Sequence, residues 1–176
     1  LLTFIAPLLG FPPPFTIIQL LWINIIMDSL AALALCSEAP HPAQMNRKPI
    51  PRTAFVITPY MKQAILITAS IYILAGITCM MTGLPFMETP RQQATAFFAG
   101  FVIAQVWNGF NCRGINGIMP ALFRGNPVFY VIMGLIVVIQ ILIVQYGGGV
   151  FDTVPLSPLQ WLVIGAGTMP VLLIWP

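Results

Sequence analysis

Five stretches of this chain run almost without polar side chains, and prolines, glycines and the few charges gather between them. The stretches are Phe15–Leu35, Met61–Thr82, Thr95–Asn111, Val128–Tyr146 and Leu159–Trp175. Each is close to the ~20 residues that a helix needs to cross hydrocarbon. A shorter apolar opening, Leu1–Gly10, reads as the end of a helix that begins upstream. The pattern predicts an all-α, polytopic transmembrane helical bundle of five full spanning helices plus a truncated N-terminal helix. Short connections make successive helices antiparallel neighbours. Pro12, Pro13 and Pro14 stiffen one turn, Pro170 is expected to kink the last span, and Gly147, Gly148 and Gly149 are expected to end the fourth through positive-φ backbone.

Composition changes the picture only by naming the solvent. Of the 176 residues 59% are hydrophobic and 6% charged, against about 45–50% and about 25% in soluble domains. So few charges cannot cover that much apolar surface in water, so the chain belongs in a bilayer. The formal charge of +3 does not imply a nucleic-acid partner, because the basic residues form no contiguous stripe. Their distribution instead orients the chain. Arg47, Lys48, Arg52, Lys62, Arg113 and Arg124 fall on one side, and Arg91, with Glu88 and Asp152, on the other. The positive-inside rule makes the first side cytoplasmic and places Pro176 there. Cys36, Cys79 and Cys112 are too far apart for a disulfide framework or zinc site and read as small core residues.

One acidic residue falls within a span. Asn24 and Asp28 lie four residues apart in FTIIQLLWINIIMDSLAALAL and so share a helix face, which continues through Ala31, Ala32 and Leu35. An aspartate at mid-membrane costs roughly 2.5–3.5 kcal/mol, so a use is expected. Two readings stand: a cation site, or an interhelical hydrogen-bonding pair with a structural aspartate. The first is preferred for an Asp with an Asn at this spacing, although the pair supplies under half of the six to eight oxygens that a hard cation takes. Gln105 and Asn108, one turn apart in a later span, face the same polar centre or serve as interhelical glue; Gln105 is the possible supporting residue. Gln140 and Gln145 read as packing amides. His41 lies in a proline-rich loop without catalytic or metal-binding partners, and the loop Glu38–Arg52 offers a basic cluster for headgroups or for a cytoplasmic domain. No Walker loop, Ser/His/Asp set or HExxH motif occurs, so the chain is expected to perform no catalysis unaided.

Several segments together resemble one family. QLLWINIIMDSLAALALCSEAP (Gln19–Pro40) with NRKPIPR (Asn46–Arg52) is similar to the sixth membrane helix and following loop of calcium-pumping P-type ATPases, most of all the plasma-membrane type. FVIAQVWNGFNCRGING (Phe101–Gly117) resembles the eighth helix, and NPVFYVIMGLIVVIQILIVQYGG (Asn126–Gly148) with PLSPLQWLVIG (Pro155–Gly165) the ninth and tenth. The resemblance implies that residues 1–176 are the C-terminal transmembrane domain of such a pump, from the end of its fifth helix. It implies Ca²⁺ as the transported ion, with Asn24 and Asp28 as ligands completed by groups on the fourth helix. Met27 stands where sarcoplasmic-type pumps carry a threonine, and Gln105 where they carry a glutamate. Both differences imply the plasma-membrane type and a single Ca²⁺ per cycle. ATP and Mg²⁺ are expected to act in nucleotide-binding and phosphorylation domains outside this chain, which alone is expected to be inactive. Its expected partners are then the lipid bilayer and the remaining transmembrane and cytoplasmic parts of the pump, with no nucleic acid, in a multi-pass protein of the plasma membrane. A secondary cation transporter, a channel segment and a purely structural support bundle are the alternatives.

Overall fold

The computed structural model describes residues 1–39, 55, 57–113 and 125–173. All regular structure among them is helical. In chain order the helices are α1 (Leu2–Leu8), α2 (Ile17–Cys36), α3 (Pro59–Thr82), α4 (Pro90–Arg113), α5 (Pro127–Tyr146), the short α6 (Gly148–Phe151) and α7 (Pro158–Leu173). Most of the loop expected over Glu38–Arg52 lies outside the described residues.

The helix starts follow from local chemistry. Thr16, Thr58, Asn126 and Ser157 cap α2, α3, α5 and α7, each accepting a hydrogen bond from a first-turn backbone N–H. Thr16 with Gln19 and Ser157 with Gln160 complete reciprocal capping boxes. Proline occupies the first turn of α3, α5 and α7, where its missing N–H breaks no bond. At the far end of α7 the α-helix tightens to a 3₁₀ turn over Met169–Leu173, where Pro170 removes a ladder donor.

Two expectations fail here. Gly147 ends α5 at φ −84°, and the chain turns left-handed only at Asp152, φ 50°. Glycine is needed at 147 for space instead: a Cβ there would lie 2.4 Å from the Ile143 carbonyl oxygen. The cysteines are not core residues either. Cys36 and Cys112 are exposed and Cys79 is half-buried.

Three helices are long and apolar enough to cross a membrane: Ile17–Cys36, Met61–Thr82 and Pro127–Tyr146. The other two expected spans are helical but differ in kind. Helix α4 starts five residues earlier than its apolar run, at Pro90, taking in polar Arg91, Gln92 and Gln93. Helix α7 is a shorter apolar helix, Pro158–Leu173.

Helix α4 is the centre. It packs on α5 and α7, and α2 leans on α4 and α5 through its C-terminal half. Phe98, Val102, Phe129 and Ile136 are fully enclosed between them. Small residues allow close approach, which matters in lipid, where apolar attraction between helices gives little. Gly109 faces the Met133 methyl and Gly100 faces Ile164. Helix α3 stands apart and is held mainly by Leu2 of α1 against Gly76 and by the Tyr72 hydroxyl, which donates to the Ala104 carbonyl at 2.7 Å.

Polar clamps close both ends. At one end the Arg113 side chain, 0% exposed, pairs with Glu38 at 2.6 Å and stacks 4.0 Å over the Phe129 ring. Asn126 adds hydrogen bonds to Glu38 and Ser37, so the ends of α2, α4 and α5 are tied together. Arg113 therefore belongs to a helix end and a buried ion pair rather than to a loop. At the opposite end Arg91 pairs with Asp152 on the surface. Gln93 and Gln160 hold the backbone of the α3–α4 turn. Gln145 donates to and accepts from Leu156.

Candidate functional site

The helix that carries Asn24 and Asp28 changes type where they sit. It is α-helical over Ile17–Leu21, π-helical over Trp22–Met27 and α-helical again over Asp28–Cys36. The Asp28 N–H bonds to the Ile23 carbonyl, five residues back. The four-residue spacing of Asn24 and Asp28 therefore falls just short of a turn rather than just beyond one. WINIIM contains neither proline nor glycine, so the sequence carries no local mark of this. What the segment does have is tethers on both sides. Above it, Gln19 donates to the Phe151 carbonyl and the Trp22 indole to Gln140, each at 2.8 Å. Below it stands the Glu38 clamp. π-turns inside α-helices are uncommon and often mark functional positions.

A groove of about 760 Å³ opens between α1, α2, α3 and α4. Asn24 from the π segment and Gln105 and Asn108 from α4 line it together, among mostly apolar walls. Asp28 is not among the lining residues; it lies exposed on α2, as Asn24 does. The small-residue face expected below Asp28 is divided. Ala31 and Leu35 pack against the core, whereas Ala32 is exposed.

Among the described residues, the side chains of Asn24, Asp28, Gln105 and Asn108 make no hydrogen bond, although all lie within helices of an apolar bundle. Other groove groups are engaged: Asn111 donates to the Val171 carbonyl at 2.8 Å and Tyr72 to Ala104. Carbonyl and carboxylate oxygens are what a hard cation takes. Among the described residues, however, no group of three or more His, Cys, Asp or Glu comes together. Asn24 and Asp28 thus offer a partial oxygen set on a surface of this chain, and Gln105 an amide across the groove.

Comparison with known proteins supplies the context. The family model described as "Cation transporting ATPase, C-terminus" matches residues 12–175. Probable calcium-transporting ATPase 6, plasma membrane-type, of Oryza sativa subsp. japonica is 37% identical over 166 residues, covering 89% of this chain and 16% of that protein. Plasma membrane calcium-transporting ATPase mca-1 of Caenorhabditis elegans is 37% identical over 173 residues, with 89% and 14% covered. Plasma membrane calcium-transporting ATPase 1 of Gallus gallus is 35% identical over 173 residues, with the same coverage, 89% and 14%. The chain spans only about a sixth of the length of these relatives. With an apolar helical bundle along the same residues, the chain belongs to the cation-transporting ATPase family and is similar to the C-terminal membrane portion of its plasma-membrane calcium-transporting members.

Proposed function

We propose that residues 1–176 form the C-terminal transmembrane domain of an ATP-driven calcium pump, with five spans, a cytoplasmic C-terminus and a place in the plasma membrane. Asn24 and Asp28 contribute oxygens to one travelling Ca²⁺, and Gln105 supports them from α4. ATP and Mg²⁺ act in parts of the protein outside this chain, and the remaining ion ligands come from helices outside it as well.

The observation that carries this reading is the coincidence of three features at one level of α2. A carboxylate and an amide lie unpaired in an apolar bundle, the helix bearing them is π-wound there, and relatives at 34–37% identity are named as calcium-transporting ATPases. A bundle serving only as support gains nothing from an unpaired aspartate at that depth, where its cost is roughly 2.5–3.5 kcal/mol. Transport requires that phosphorylation elsewhere change how well these oxygens surround the ion, since only a difference in affinity between two conformations drives a cycle.

The test is calcium-dependent phosphorylation by ATP of the full-length protein carrying Asp28→Asn. The dependence on calcium is expected to be lost or shifted at least tenfold, corresponding to about 1.4 kcal/mol or more of ion-binding energy. Unchanged calcium dependence removes Asp28 from the site.

A further inference from the structure

Trp22 opens the π segment and is almost completely buried, 4% exposed. Its indole N–H donates to the Gln140 side-chain oxygen at 2.8 Å, across 118 residues of sequence, inside the bundle. Gln140 belongs to α5 and is 0% exposed. Its amide nitrogen has no hydrogen-bond partner among the described residues. An apolar side chain there would remove this unsatisfied amide but strand the buried Trp22 indole N–H. What Gln140 supplies is one buried acceptor, aimed at Trp22.

We infer that Gln140 is a positioning residue for the cation site, acting through Trp22 to set the rotation of the π segment that presents Asn24 and Asp28. The buried side of this segment consists of Trp22, Ile23 and Met27, and its open side includes Asn24 and Asp28. Ile23 and Met27 are held only by apolar contact, which lets a helix roll. The indole–amide bond is directional, and hydrocarbon offers its donor no water as an alternative partner. Asn24 follows two residues after Trp22, so its azimuth is set by the direction in which the indole points. Gln140 itself lines neither the groove nor any contact with Asn24 or Asp28. Its influence runs through the tryptophan.

The inference rests on the calcium-site reading above, and the experiment separates the two. Trp22→Phe keeps the ring and loses the donor; Gln140→Leu keeps the bulk and loses the acceptor. In the full-length protein each is expected to raise the calcium concentration for half-maximal phosphorylation by about three- to tenfold. The maximal phosphorylation at saturating calcium is expected to change less. The double variant is expected to equal the stronger single, because one bond is lost in all three. No shift in the single variants, or full additivity in the double, overturns the inference. Amide exchange provides a readout independent of calcium: Trp22→Phe is expected to speed exchange within 22–28 and leave 33–38 unchanged, whereas equal loosening of both overturns the inference. Absence of calcium-dependent phosphorylation in the unsubstituted protein contradicts the proposed function itself.

Discussion

The two faces of α4 carry polar side chains under opposite rules. Towards α5 and α7 they are braces: Asn111, at the edge of the groove, holds the Val171 carbonyl, and the nearby ion pair of Arg113 ties three helix ends together. Towards the groove, Gln105 and Asn108 face Asn24 with no hydrogen bond to any described residue. The two kinds of position are indistinguishable by residue type, helix or depth in the sequence. What separates them is whether a backbone carbonyl from a distant segment arrives within 3 Å. In an apolar bundle a paired amide is structural, and an unpaired one beside a cavity is available for a ligand.

The contrast breaks most visibly at the clamp. Arg113→Leu leaves Glu38 with its charge uncompensated at a buried helix end and removes the cation–π contact with Phe129. A loss of about 3–5 kcal/mol is expected, read as a large drop in the unfolding midpoint of the full-length protein in detergent. Gln145→Leu is expected to cost less, about 1–3 kcal/mol, because it strands the N–H and C=O of Leu156 that the amide now satisfies. Gln105→Ala removes a side chain without a partner and is expected to alter stability by at most about 0.5 kcal/mol. If Gln105 supports the ion, the same substitution weakens calcium dependence while the unfolding midpoint holds. A stability loss at Gln105 as large as at Gln145 would erase the distinction between paired and unpaired amides.

Much of the architecture was legible in the chain itself. Apolar runs bounded by Thr58-Pro59, Asn126-Pro127 and Ser157-Pro158 place helix starts to within two residues, because capping and proline act locally. The α4 boundary was less legible, since its first turn is polar and packing, rather than hydropathy, decides it. Arg113 looked like a loop cation because its partner Glu38 lies 75 residues away. The π segment left no trace, since it holds no proline or glycine and the tethers at Gln19, Trp22 and Glu38 reach residues distant in sequence. The candidate ligands Asn24 and Asp28 could be singled out by polarity in an apolar run, but their relation to the groove could not. It depends on where α3 and α4 stand, and that placed Asn24 and Gln105 on the lining and left Asp28 off it.

The central claim is that α2 presents Asn24 and Asp28 to one travelling cation. The most direct measurement is a high-resolution structure of the full-length protein with Ca²⁺ bound. A single ion is predicted with an Asn24 amide oxygen and an Asp28 carboxylate oxygen about 2.3–2.6 Å away. An ion coordinated elsewhere, with both side chains turned to the acyl chains, would contradict it.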